Sequence, residues 1–245
     1  MDAPIDIASL LPSLETDQWF SSCPEELRQA LLSNAKIYRC LAGEALYRRG
    51  DSARHALFCV AEGAIRLSSS LQDGAPFLLV YLEPCHWFGD MSLIDGKPYI
   101  HDAIADVDTQ VLCISLQALT QWLDQNPVYW RDIARLSMNK LRVAYQVIGE
   151  PGALHYRLAR RLWLMAHGFG SRTHIPSIQL TVSQEHLAQM MGSTRQSINA
   201  ALARLEQLGL LTHGYKSIEL HNLENLIQHA NHLGMSASTD SSDSQ

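Results

Sequence analysis

The chain has 245 residues, 47% of them apolar and 18% charged, with a formal charge of −6; that is enough for one large or two modest globular domains. Its apolar runs, such as Phe77 to Leu82, fall far short of the roughly 18 residues of a membrane span. Asp2 and Asp6 stand where a signal peptide carries basic residues, so a cytoplasmic protein without a membrane partner is expected.

Charge is unevenly distributed. Residues 1–150 hold 12 basic and 19 acidic side chains (−7), and residues 151–233 hold 7 and 4 (+3) together with 8 of the 11 histidines. Opposite signs predict two domains with different partners. The five cysteines, Cys23, Cys40, Cys59, Cys85 and Cys113, are odd in number and form no C-x-x-C, which predicts reduced thiols and no metal site.

In chain order, residues 1–20 are mixed and expected to form a flexible segment. A helix is predicted to about Ser33, with Ser22 as N-cap and Pro24 in its first turn. From Ala35 to Leu116 short apolar runs (Ala56–Ala61, Phe77–Leu82, Val111–Leu116) alternate with turn pairs such as Gly43-Glu44, Gly50-Asp51, Asp73-Gly74 and Asp95-Gly96. This texture predicts a β-roll over residues 21–126. Asn126 and Pro127 open a long helix, residues 127–150, that nothing breaks before Gly149. One apolar stripe holds Ile133, Leu136, Val143 and Val147. A second, with small residues, holds Ala134, Ser137, Leu141, Ala144 and Ile148, and its spacing suits the same helix of a second subunit; burial of both stripes within one chain is the alternative. Residues 152–167 form another helix, and residues 234–245 are expected to be disordered.

Residues 181–221 carry the most information. Ser183 caps a short helix with Leu187, Met190 and Met191 inward, and Gly192 supplies a tight turn. Ser193 caps a second helix with Gln196 completing a capping box. Ile198, Leu202 and Leu205 are its buried stripe, and Gly209 ends it. A hairpin with a His213-Gly-Tyr-Lys216 turn follows. Helix, turn, helix and hairpin make a winged helix-turn-helix over residues 151–233. Thr194, Arg195, Gln196 and Asn199 project where base edges would lie, Ser183, Ser193, Ser197 and the helix N-termini suit phosphates, and Gln184 is a further DNA-binding candidate. Gly209 to Ser217 only superficially resembles a P-loop, since an extra residue separates Gly214 from Lys216 and no helix follows. With no catalytic motif and no convergent carboxylates, an enzyme is not expected.

On Thr181–Glu206, Gly43-Glu44…Arg49-Gly50-Asp51 and Phe88-Gly-Asp…Asp95-Gly-Lys-Pro, the chain resembles the CRP/FNR family of bacterial transcription regulators over roughly residues 20–222. The resemblance implies an α+β architecture: a cupin-like, cyclic-nucleotide-binding-like β-roll, a dimerisation helix and a winged helix-turn-helix. It also implies a homodimer on palindromic double-stranded DNA, RNA polymerase as a partner, and a small-molecule effector in the roll. The effector pocket would comprise Gly89, Asp90, Met91, Ser92, His101, Asp102 and Ala103. Cyclic-AMP-binding members carry Gly-Glu-Leu and then Arg-Ser-Ala or Arg-Thr-Ala, the Glu on the ribose and the Arg on the phosphate. Here Asp90 shortens the Glu, Ile100 or His101 replaces the Arg, and Val147 and Ile148 fall where hydroxyls would meet adenine. Cyclic AMP bound in the usual way is therefore not expected. Neither is an iron–sulfur cluster, with only Cys23 near the N-terminus, nor a haem, for which His86, Cys85 or His101 would be the ligands. The effector stays open. A sensor whose winged helix binds protein, and a constitutive regulator with a vestigial pocket, remain as alternatives.

Overall fold

Two antiparallel four-stranded sheets organise the N-terminal half. The computed structural model describes residues 6–70, 76–148, 152–170 and 178–231; Met1–Ile5 and the tail 234–245 lie outside them. The strands are β1 (Ala35–Cys40), β2 (Ala45–Tyr47), β3 (His55–Glu62), β4 (Ile65–Ser70), β5 (Pro76–Leu82), β6 (Trp87–Phe88), β7 (Asp102–Ala105) and β8 (Thr109–Ser115). One sheet runs β1-β8-β3-β6 and the other β2-β7-β4-β5. Phe58, Val60, Phe88, Val111 and Cys113 of the first sheet meet Tyr47, Ile65, Leu67, Leu82 and Ala103 of the second in one apolar core. Each large aliphatic or aromatic side chain among them contributes about 1.5–3 kcal/mol by leaving water.

Central strand β8 is buried from Thr109 to Ile114. Val111 and Cys113 face the other sheet, while Leu112 and Ile114 face a second core built with helices. This double burial explains why the strand reads as a continuous apolar run. Gly63 makes the turn from β3 to β4 at φ +85°, and a β-carbon there would lie 2.5 Å from the Thr109 hydroxyl.

The N-terminal residues differ from expectation. Residues 6–22 are folded: a 3-10 turn at Ile7–Leu10, α1 (Leu11–Leu14) and α2 (Gln18–Ser22). Asp6 and Asp17 cap the first and the last of these, Asp17 accepting from the Phe20 N–H at 2.7 Å. Trp19 and Phe20 pack on Trp87, with ring centroids 5.4 Å apart in both pairs. Trp19 Nε1 also donates to the Asp132 carbonyl at 2.7 Å. Their apolar burial, not any periodicity, orders the segment. Ser22 consequently ends α2, donating to the Trp19 carbonyl at 2.8 Å, and does not cap the next helix. Pro24 takes the N-cap of α3 (Glu25–Ser33).

Between β6 and β7 lies α4 (Asp90–Asp95), and β8 leads into α5 (Leu116–Gln125), capped by Ser115. Asn126 closes α5, its Nδ2 donating to the Trp122 carbonyl at 2.9 Å, and makes no cap for the long helix. Pro127–Tyr129 form a 3-10 turn before α6 (Trp130–Val147). At 18 residues α6 spans about 27 Å, shorter than the expected element. The chain divides into two compact units inside this helix, between Arg142 and Val143.

The second unit holds α7 (Leu154–Ala166), β9 (Gln179–Leu180), α8 (Gln184–Met191), α9 (Arg195–Gln207), β10 (Leu211–Gly214), β11 (Ser217–Leu220) and α10 (Leu223–Asn231). Its sheet order is β10-β11-β9. Leu158, Leu162, Leu187, Ile198, Leu202, Leu205 and Leu226 are fully buried. The hairpin turn is confined to Tyr215-Lys216, because His213 and Gly214 still pair with Ile218 and Ser217. The final helix adds to the expected elements; the Asn222 side chain starts it by accepting from the Asn225 N–H at 2.9 Å.

Candidate nucleic-acid interface and effector site

Helix α8 begins as expected, with the Ser183 hydroxyl accepting from the His186 N–H at 3.0 Å. Gln184 is its first residue, half-buried like Ser183. Gly192, at φ +55°, ends it in the left-handed conformation, and the Ser193 N–H returns to the Ala188 carbonyl at 2.9 Å. A side chain at residue 192 would strain that conformation. Ala188 is buried where α8 meets α9.

The cap of α9 sits one residue later than its sequence signal. Thr194, not Ser193, is the N-cap and accepts from the Ser197 N–H at 3.1 Å, with the two hydroxyls 2.9 Å apart. Gln196 therefore makes no capping box and is exposed, as are Thr194, Arg195, Ser197 and Asn199; Ser193 is half-buried. The competing candidates are adjacent hydroxyl residues, and only the geometry of the Gly192 turn separates them.

Ile198, Ala201, Leu202 and Leu205 form the buried stripe of α9. At 100° per residue the opposite arc is centred on Gln196, Ala200 and Ala203, with Asn199 beside it and Arg195 at its flank. No acidic residue lies in the first turn, so the positive end of the helix macrodipole is unopposed there. Among the described residues Arg195 has no ion pair. Ala200 and Ala203 give no sign of a site in the sequence because alanine carries no polar signal. On this arc they let a helix approach a surface closely, and a methyl group can contact thymine. At the hairpin tip Tyr215 is 89% exposed and Lys216 Nζ stands 5.8 Å from its ring centroid.

The candidate effector residues are dispersed. Gly89, at φ +93°, and Asp90 open α4; Met91 is exposed and Ser92 buried. Ala103 is fully buried in β7. Asp102 accepts from the Arg49 N–H at 2.8 Å. The Asp90 side chain is only 3% exposed and is held by Lys140 Nζ and the Ser137 hydroxyl, both from α6. Burial raises its pKa, but these two partners outweigh burial and hold the carboxyl below the usual value. His101 is half-buried with its ring centroid 5.9 Å from that of Tyr47, and burial pushes its pKa down. His101, with its pKa lowered, and the Asp90 carboxylate offer a phosphate no cation of their own, and the nearby Lys140 ammonium is engaged by Asp90. Of the haem candidates, His86 Nδ1 lies 2.9 Å from the Glu83 carbonyl and Cys85 Sγ donates to the Ser13 carbonyl. Among the described residues no three or more His, Cys, Asp or Glu side chains group to hold a metal, and no helix is long and apolar enough to cross a membrane.

The small-residue stripe expected on α6 is exposed at some positions and covered at others. Ser137 turns toward Asp90 and Ala144 is half-buried. Ala134, Leu141 and Ile148 of the stripe are exposed, with Met138 and Tyr145 beside them, Tyr145 and Ile148 by 69% and 68%. Their 4-3-4-3 spacing matches heptad d and a positions.

A β-roll followed by a helix and a winged helix-turn-helix is the domain order of this chain. Residues 39–126 match the cyclic nucleotide-binding domain, and residues 156–229 the Crp-like helix-turn-helix domain. The transcriptional regulator LdrP of Thermus thermophilus is 31% identical over 192 residues, 76% of this chain and 93% of LdrP. The CRP-like cAMP-activated global transcriptional regulator of Mycobacterium tuberculosis is 24% identical over 196 residues, 77% of this chain and 85% of that protein. FixK2 from Bradyrhizobium japonicum shares the fold with a TM-score of 0.68 at 22% identity, covering 79% of this chain and 96% of FixK2. This chain belongs to the CRP/FNR family of transcriptional regulators, with a DNA-binding helix-turn-helix, and its relatives are regulators, not enzymes.

Proposed function

We propose that the protein is a cytoplasmic, homodimeric, sequence-specific DNA-binding regulator that acts without conventionally bound cyclic AMP. The observation that carries this reading is the exposed arc of α9. Arg195, Gln196 and Asn199 stand at an acid-free helix N-terminus and their positions suit base edges: Arg for guanine, Gln and Asn for adenine. Ser183, Gln184, Ser193, Thr194, Ser197 and the Tyr215-Lys216 tip would flank them on phosphates. The exposed heptad stripe of α6 would pair with the same stripe of a second copy, giving two half-sites about 34 Å apart. RNA polymerase would be the downstream partner on promoter DNA.

The Mycobacterium tuberculosis relative is described as cAMP-activated. Here the partners of Asp90 and the neutral ring of His101 speak against such binding. The test is footprinting of the full chain on a selected duplex across a salt series. Protection of two half-sites, with affinity falling steeply with salt as phosphate contacts require, is the expected result. Protection of one half-site would contradict the dimer, and salt-independent association would favour a protein-binding module.

A further inference from the structure

We propose that Lys140 is a positioning residue for DNA binding: a cation supplied by α6 that occupies the candidate effector site and fixes the roll to that helix without nucleotide. This rests on the DNA-binding reading above and concerns its regulation. Lys140 meets the buried start of α4. Its Nζ, with the Ser137 hydroxyl, holds the buried carboxylate of Asp90 at the start of α4. The charge of Lys140 also acts on Asp17, the buried N-cap of α2, and on His101, just before β7. Lys140 is the cation paired with the buried Asp90 carboxylate, and burial lowers the pKa of His101, another residue of the candidate site.

A ligand hydroxyl reaching Asp90 would have to compete with Lys140 on one carboxylate oxygen and Ser137 on the other. The lysine is a tethered competitor, present at every moment, and a buried carboxylate left without it would be an unpaired charge. Its place in the chain gives the contact consequence. Lys140 lies three residues before the changeover between units within α6, so the ion pair fixes the part of the helix from which the second unit continues.

The experiment compares full-length wild type, Lys140→Gln, Lys140→Arg, Asp90→Asn and the Asp90→Asn/Lys140→Gln pair. Each is titrated with a duplex enriched by the nucleotide-free wild type, with and without cyclic AMP, and circular dichroism checks the fold. Lys140→Gln is expected to weaken specific binding about tenfold or more, the size of a typical coupling between sites. Lys140→Arg keeps the charge and is expected to retain affinity, and the double variant to bind no worse than Lys140→Gln. Cyclic AMP leaves wild-type affinity unchanged. Asp90→Asn breaks the same contact while leaving the half-exposed lysine to water, so it reports on the contact should Lys140→Gln fail to fold. A folded Lys140→Gln or Asp90→Asn that binds as wild type would overturn the proposal alone. Absence of any preferred duplex for wild type would overturn the DNA-binding reading and the proposal with it.

Discussion

The roll and the winged helix dispose their polar groups in opposite ways. In the roll, the carboxylates of Asp17 and Asp90 are turned inward; Asp17 accepts a backbone N–H, and Asp90 holds Lys140 and Ser137. On α9, Arg195, Gln196 and Asn199 face solvent. The candidate effector carboxylate is thus already engaged within the first unit, whereas the candidate DNA-contacting side chains of α9 are left open to solvent. Charge differs in the same sense: residues 1–150 carry a net −7 because most of the acids lie there, and residues 151–233 a net +3 because few do.

The inward arrangement is broken most directly at Asp17. Burial raises its pKa to about 7 in the folded chain, partly offset by the Phe20 N–H and Lys140. Between the ordinary value of 3.8 and about 7, the folded chain holds a proton that the unfolded chain has released. Stability therefore falls as pH rises through that window and levels off above it. At about 1.4 kcal/mol per pH unit, the span is worth up to about 4 kcal/mol. Asp17→Asn keeps a competent N-cap and is expected to flatten this slope and to raise the melting temperature at pH 8. A lower melting temperature there would show that the ionised form is stabilised by Lys140 more than burial penalises it.

Arg195→Ala breaks the outward arrangement. It removes about 1–3 kcal/mol of base discrimination if Arg195 reads a guanine, a loss of roughly 5- to 150-fold in preference for the selected site. The melting temperature should barely move, since exposed substitutions stay within about 0.5 kcal/mol. Competition binding against scrambled duplex measures the first, and unchanged discrimination would remove Arg195 from the interface.

Thr194→Ala has the smallest expected effect and the sharpest comparison with Ser193→Ala. Loss of the Ser197 N–H acceptor should cost about 1 kcal/mol, whereas Ser193→Ala should cost less because its backbone alone makes the turn bond to Ala188. Equal losses in urea denaturation would return the cap to Ser193.

The winged helix is legible in the sequence because its signals are local. Ser183, Gly192 and the Ile198, Leu202, Leu205 stripe name their elements within a few residues, and the slip of Ser193 for Thr194 is a choice between neighbouring hydroxyls. The β-roll is legible from its turn pairs. Residues 6–22 are not, because what orders them is remote: Trp19 and Phe20 find Trp87, and Trp19 finds the Asp132 carbonyl, 113 positions away. The same holds for Asp90. A sequence shows a shortened acid at a ligand position; that Lys140 and Ser137 hold it, 50 and 47 residues on, depends on how α6 lies along the roll. Ser137 thereby bonds within the first unit, while Met138 and Tyr145 stand on the exposed face of α6.

The most direct measurement is selection of a random duplex pool by the purified full-length protein, run in parallel without nucleotide and with cyclic AMP. The predicted result is the same palindromic site enriched in both arms, its half-sites about one helical turn apart. Enrichment confined to the cyclic AMP arm would contradict the self-satisfied sensor, and enrichment in neither would contradict DNA recognition by α9 of the nucleotide-free protein.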